Sequence, residues 1–221
     1  MRPGAVRRGP WVAYHRRSMK VRNLMIGATL VGAAIAVGRW SSTPEGREVD
    51  AELFGELNRG HGPGADRYFT GVTELGSLWA AAGAAGALTL VGRRRVAANA
   101  LAAAAVPWIA GQGLKRVANR TRPYEADGDG TRLLIRPPHA SSWPSSHPAV
   151  LITFTTVAGR ELGLGAVARA GLTGLGLSVA ASRVYVGVHY PSDVVGGLLL
   201  ARGLADAWSR LISPWAATVR T

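Results

Sequence analysis

Residues 182–193 read SRVYVGVHYPSD. Proline suits the first turn of a helix, because it has no N–H to leave unpaired and its φ is already helical. The spacing therefore predicts a helix opening at Pro191, with His189 just ahead of it and Asp193 in its first turn. An aspartate so placed can accept one imidazole N–H, fix the tautomer and leave the other ring nitrogen free to attack. A His/Asp pair four apart is also a common surface contact, so its neighbours decide its meaning. Upstream, Trp143-Pro144-Ser145-Ser146-His147-Pro148 precedes an apolar run. That stretch reads either as a capped helix start with a solvated histidine or as an anion site, since free N–H groups and the helix dipole favour negative charge. Further upstream lies KRVANRTRP, Lys115 to Pro123. Pro123 disfavours helix at Arg122 and is expected to end the element there. Lys115 and Arg122, two turns apart, are then expected on nearly the same helix face. In isolation these bases would serve as end-capping and snorkelling charges.

The 221-residue chain carries a net charge of +13 and a pI near 11.4, yet only 18% of its residues are charged and 48% are apolar. A disordered polycation is excluded, because disorder requires low hydrophobicity with high net charge. An ordinary soluble enzyme has a charged fraction nearer a quarter. With no cysteine, disulfides, thiolate nucleophiles and Cys-ligated metal centres are excluded as well.

The charge is unevenly placed. Residues 1–22 hold seven bases and no acid, and an uncharged apolar run, Leu24 to Gly38, follows at once. A second run spans Gly71 to Gly92 with only Glu74, closed by Arg93-Arg94-Arg95, and a third spans Val96 to Leu114. Three more helices are expected near Ser146–Leu162, Val167–Ala181 and Val194–Ile212. Six spans of about 20 residues need roughly 120, which the chain can supply. Loop 41–70 has three bases against six acids. Positive-inside logic therefore places the basic segments in the cytoplasm and that loop outside. Loop 115–145 and segment 182–193 then share the outer side. The expectation is an all-α, six-transmembrane-helix bundle in a cell membrane, with its site at the outer face. A cleaved signal before a soluble domain would leave the second and third runs unexplained. Trp11 and Tyr14 among the N-terminal arginines could contact nucleic acid or anionic lipid, but a juxtamembrane topology signal is the preferred reading. No nucleic-acid partner is expected. On one side of the membrane the three stretches supply two histidines, an aspartate, two serines and at least three cations, the parts of a phosphoryl-transfer site.

In these blocks the chain resembles the type 2 phosphatidic acid phosphatase family, which shares its core with vanadium haloperoxidases. The family signature K-x6-R-P, P-S-G-H, S-R-x5-H-x3-D is matched at Lys115–Pro123, Pro144–His147 and Ser182–Asp193, with Ser146 in place of the glycine. The resemblance implies that His189 attacks phosphorus, Asp193 orients its ring, and His147 protonates the leaving oxygen. Lys115, Arg122, Ser145, Ser146 and Arg183 would hold the phosphoryl oxygens. It implies no metal and no other cofactor. The expected organisation is a basic cytoplasmic tail (1–23), one membrane phosphatase domain (24–212) and a cytoplasmic C-terminal tail (213–221).

The expected activity is metal-independent hydrolysis of a lipid phosphomonoester or diphosphate through a phosphohistidine. The candidates are phosphatidic acid, phosphatidylglycerophosphate, undecaprenyl diphosphate and a polyprenyl phosphosugar. The alternatives are a phosphotransferase using another acceptor, a vanadate-dependent haloperoxidase, and a non-enzymatic membrane binding protein. Arg116, Arg120, Arg132, Arg136 and His139 receive no role beyond surface or headgroup contact.

Overall fold

The computed structural model describes residues 10–211. The outermost part of the expected N-terminal tail (1–9) and all of the C-terminal tail (213–221) lie outside them. Among the described residues all regular structure is helical: α1 (Pro10–Trp40), α2 (Pro44–Asn58), α3 (Pro63–Thr73), a 3₁₀ turn (Glu74–Gly76), α4 (Leu78–Leu90), α5 (Arg94–Ala118), α6 (Pro123–Ala126), α7 (Ser146–Glu161), α8 (Ala166–Tyr185) and α9 (Pro191–Leu211). Proline opens α1, α2, α3, α6 and α9, including the predicted start at Pro191. The first helix begins well ahead of Leu24 and runs through much of the basic segment.

Three local expectations are corrected. The apolar run Gly71–Gly92 is not one helix. Ser77 caps a new one by accepting from the Ala80 N–H at 3.0 Å, and so separates α3 from α4. The third helix does not reach Arg122. Asn119 ends it in the left-handed region at φ 41°, a conformation that asparagine tolerates better than most residues. Lys115 is therefore helical while Arg122 is extended, and the two do not share a helix face. Ser182 and Arg183 belong to the last turn of α8 rather than to a loop.

Helix α7 is the hub, packing on α5, α8 and α9, while α1 lies along α9 and α4 along α5. The main core is alanine-rich: Ala81 and Ala85 of α4 and Ala97, Ala100, Ala103 and Ala104 of α5 meet Val150, Phe154 and Val157 of α7. Small side chains let helix backbones approach closely, so dispersion contacts are gained over long lengths. The C-terminal ends of α5 and α8 and the N-terminal ends of α7 and α9 lie at one end of this bundle. No single helix among the described residues is long and apolar enough to cross a membrane. Leu24–Trp40 and Pro44–Asn58 pass that test only as a pair, bent by 92°. Apolar α4 has 13 residues, about 20 Å at 1.5 Å per residue.

Candidate active site

His189 sits in the turn between α8 and α9 and is 2% exposed. Its Nδ1 lies 3.4 Å from Asp193 Oδ2, longer than a typical hydrogen bond but placed to favour the Nδ1–H tautomer. Its Nε2 faces Arg122 Nη1 at 3.4 Å. Asp193 is fixed from several directions. Its Oδ2 accepts from the Tyr190 N–H at 2.8 Å and from the Ser142 hydroxyl, and its Oδ1 accepts from Arg120. Burial holds the His189 imidazole well below its usual pKa, and the charges of Arg122, Arg183 and Lys115 push the same way. These effects favour the neutral ring, whose Nδ1–H tautomer leaves the Nε2 lone pair turned toward Arg122.

The structure brings the other expected residues to the same end of the bundle, with differences in detail. Arg122 is 1% exposed and clasps two loops: Nε donates to Ala140 O at 2.6 Å, Nη1 to Val188 O at 2.6 Å, and Nη2 to Ser141 O at 3.3 Å. Arg183 is 2% exposed and donates to Thr73 Oγ1 at 2.7 Å, while its Nε has no partner. Ser145 occupies the N-cap position of α7, yet its hydroxyl makes no cap bond. The Oγ atoms of Ser145 and Ser146 are both buried without a hydrogen-bond partner. The departure from glycine at Ser146 is accommodated across the helix interface. A Cβ on Gly111 of α5 would lie 2.9 Å from Ser146 Oγ, so the missing side chain there makes room for this one. Gly76 acts similarly for His147: a Cβ on it would lie 2.8 Å from the His147 Cβ. The 3₁₀ turn can therefore press against the start of α7.

Neither Lys115, Arg122 nor Arg183 is paired with a carboxylate among the described residues. Burying cations without counter-ions is strongly unfavourable unless an anion compensates them. Three such cations, orphaned hydroxyls and a neutral imidazole can together hold a small polyanion and present a nucleophile to it.

Arg120, to which the sequence assigned only surface or headgroup contact, is instead a keystone. Its guanidinium donates to Asp193 Oδ1 and to Asp50 Oδ2, both at 2.6 Å, and to Ser192 Oγ at 2.8 Å, and it stacks 4.6 Å over the Tyr190 ring. Burial lowers its pKa, but Asp193 and Asp50 more than reverse that effect. Asp50 also accepts from the Ser192 N–H at 2.9 Å and from the Ser192 hydroxyl. Nothing in the sequence separates Asp50 from Glu48, Glu52 and Glu56. Its burial with Phe54 and Asn58, at intervals of four along α2, appears only once that helix docks. Asp50→Asn would break a buried ion pair, a change of about 3 kcal/mol. It is expected to lower the melting temperature by several degrees and turnover about tenfold. A melt in detergent beside a rate assay checks both, and an unchanged melt would contradict the keystone role.

Lys115, Ser146 and His147 line one end of a cavity of about 560 Å³ whose remainder is largely apolar, with Leu78, Trp79, Leu101 and Trp108. An all-helical bundle that gathers two histidines and three cations free of salt bridges at one end is suited to holding phosphate. The chain belongs to the PAP2 superfamily, whose family model matches residues 95–215. It is 34% identical over 119 residues to decaprenylphosphoryl-5-phosphoribose phosphatase of Mycolicibacterium smegmatis, covering 54% of this chain and 62% of that protein. Identity to the enzyme of that name from Mycobacterium tuberculosis is 38% over 121 residues, 52% and 60% of the two chains. The match thus spans about six tenths of the length of these curated relatives. In fold the protein is similar to a transmembrane PAP2-type phosphatidylglycerolphosphate phosphatase from Bacillus subtilis, with TM-score 0.69, 21% identity, and coverage of 83% of this chain and 94% of that one. It is also similar to Aquifex aeolicus LpxE, with TM-score 0.64, 27% identity, and coverage of 71% and 92%.

Proposed function

We propose that this protein is an integral membrane phosphatase that removes phosphate from a lipid phosphomonoester or diphosphate through a phosphohistidine at His189. The observation that carries the reading is the set of three cations, two of them buried, standing free of salt bridges near a buried histidine. In the first step Nε2 of His189 forms a bond to phosphorus while the bond from phosphorus to the lipid oxygen breaks. His147, protonated once the anionic substrate fills the site and offsets the surrounding cations, gives that proton to the lipid oxygen. Asp193 stabilises the positive ring through Nδ1–H. Lys115, Arg122, Arg183 and the N-terminal amides of α7 take up charge on the three non-bridging oxygens, helped by Ser145 and Ser146. Water then attacks phosphorus, gives its proton to His147 and releases inorganic phosphate, restoring His189.

We read α1, α4, α5, α7, α8 and α9 as the six spans, α4 being short for the role at 13 residues, and the charge bias of the loops supports an orientation with the site outside. Large apolar side chains stand on their outer surfaces: Trp79 is 87% exposed, Leu90 89% and Val167 88%. Large apolar side chains so fully exposed on these helices support a lipid-facing reading of their outer surfaces. The largely apolar cavity beside His147 offers a place for the chain of the substrate. The names of the relatives put a polyprenyl phosphosugar first among the four candidate lipids.

The test is phosphate release in detergent from phosphatidic acid, phosphatidylglycerophosphate, undecaprenyl diphosphate and a polyprenyl phosphosugar. Release from at least one is expected, with one clearly preferred, and none from any of them would contradict the reading. Cations supply the charge neutralisation, and among the described residues no group of three or more His, Asp or Glu is placed to hold a metal ion. EDTA is therefore expected to leave the rate unchanged, whereas loss in EDTA restored by Mg²⁺ would count against the mechanism. Adding a sugar or lipid alcohol and analysing products separates hydrolysis from phosphotransfer.

A further inference from the structure

A second group of cations lies at the opposite end of the bundle. Arg160 is in the last turn of α7, about 20 Å along that helix from His147 at 1.5 Å per residue. A cavity of about 250 Å³ is lined there by Arg160, Arg169 and Arg202, one each from α7, α8 and α9, with Thr155, Thr156 and Thr173. Asp206 faces two of the three: its Oδ1 accepts from Arg160 Nη2 at 2.5 Å and its Oδ2 from Arg202 Nε at 3.1 Å. Arg160 Nη1 also donates to Ser209 Oγ at 3.0 Å. The two guanidinium groups are thereby held in place. The terminal nitrogens of Arg202 and the whole guanidinium of Arg169 have no acceptor among the described residues. The cleft thus gathers three arginines, two of which share a single carboxylate.

Helix electrostatics alone does not account for this arrangement. A cation at the end of α7 suits the helix dipole, but Arg169 stands in the first turn of α8, the end that repels cations. Arg202 lies midway along α9 and shares its one carboxylate partner, Asp206, with Arg160, so the pair of arginines keeps an excess positive charge between membrane helices. An anion in the cleft answers both, and Arg forks match phosphate oxygens bidentately.

We propose that this cleft binds a phosphate mono- or diester group at a site separate from the catalytic one, carried either by an anionic membrane lipid or by a small soluble phosphate. The lipid source rests on the membrane reading above. Basic clefts between helices on the cytoplasmic side commonly receive such headgroups. The test uses the full-length protein in neutral detergent. Its melting temperature is followed with phosphatidylglycerol micelles, phosphatidylcholine micelles or inorganic phosphate, in the wild type, Arg169→Gln and Arg169→Lys. Arg169 is exposed and unpaired, so neither variant endangers the fold, and phosphate release from the catalytic site should stay within about twofold. A saturating ligand is expected to raise the melt by about 3 °C. That shift should be lost in Arg169→Gln, partly kept in Arg169→Lys, and weakened by salt. A shift with phosphatidylglycerol alone names a lipid, and one with inorganic phosphate alone names a soluble anion. No shift with either, or equal shifts in wild type and Arg169→Gln, would overturn the proposal. Because the readout is a melt, its failure is independent of whether the protein hydrolyses phosphate.

Discussion

Alanine at His189 is expected to cut phosphate release by about 10⁴-fold or more, the scale on which removal of a covalent nucleophile acts. The melt should change little. The His189 backbone N–H keeps its bond to Arg183 O at 3.2 Å, and an imidazole crowded by three cations is lost without stranding a charge. Turnover near the wild-type level would place the nucleophile elsewhere. The depressed pKa gives the same residue two pH signatures. The acid limb of kcat/KM, which reports the free enzyme, should lie well below the ordinary histidine value of 6.5, because Nε2 stays unprotonated to low pH. Stability responds in the same direction. Below about 6.5 the unfolded chain takes up a proton that the folded site refuses, so stability falls as pH falls from there toward the folded pKa. The contribution is present in full above that window. His189→Ala should flatten this slope, which a series of melts between pH 7.5 and roughly pH 4.5 would show.

Arg122→Lys should damage both fold and chemistry. The planar fork of Arg122 reaches the carbonyls of Ala140, Val188 and Ser141 while leaving Nη1 near His189 Nε2. A single ammonium cannot span them. At least two buried carbonyls would lose their donor, each worth about 1–3 kcal/mol. For a chain of this size that predicts a melting temperature lower by roughly 10 °C. Loss of an oriented donor at the phosphoryl oxygens adds a fall in turnover of about 10²–10³-fold. A lower melt with unchanged turnover would assign Arg122 to the loop clasp alone. An unchanged melt would contradict the clasp.

The helix starts were legible because their causes are local. Pro191 opens α9 and Ser146 opens α7 as expected, since a missing N–H or a cap-position residue acts on its own turn. The four-residue interval from His189 to Asp193 likewise guaranteed that the two side chains could meet. Other local features were missed because they depend on conformations that composition does not reveal. Asn119 could have continued its helix, and only its left-handed backbone places Arg122 beyond the end. The Ser145 hydroxyl, which the sequence left open as either a helix cap or part of an anion site, makes no cap bond.

The sequence by itself determined that the chain is helical, where its last helices begin, and which residue types reach one end of the bundle, because periodicity, prolines and short intervals act over a few residues. Only the tertiary structure decided that Arg120 joins Asp50 to Asp193, that Arg122 clasps two loops, that Gly111 makes room for Ser146, and that three arginines share a cleft at the far end. Each of those depends on segments tens of residues apart, and identical charges along one helix differ in meaning only after packing buries one and leaves its neighbours in solvent.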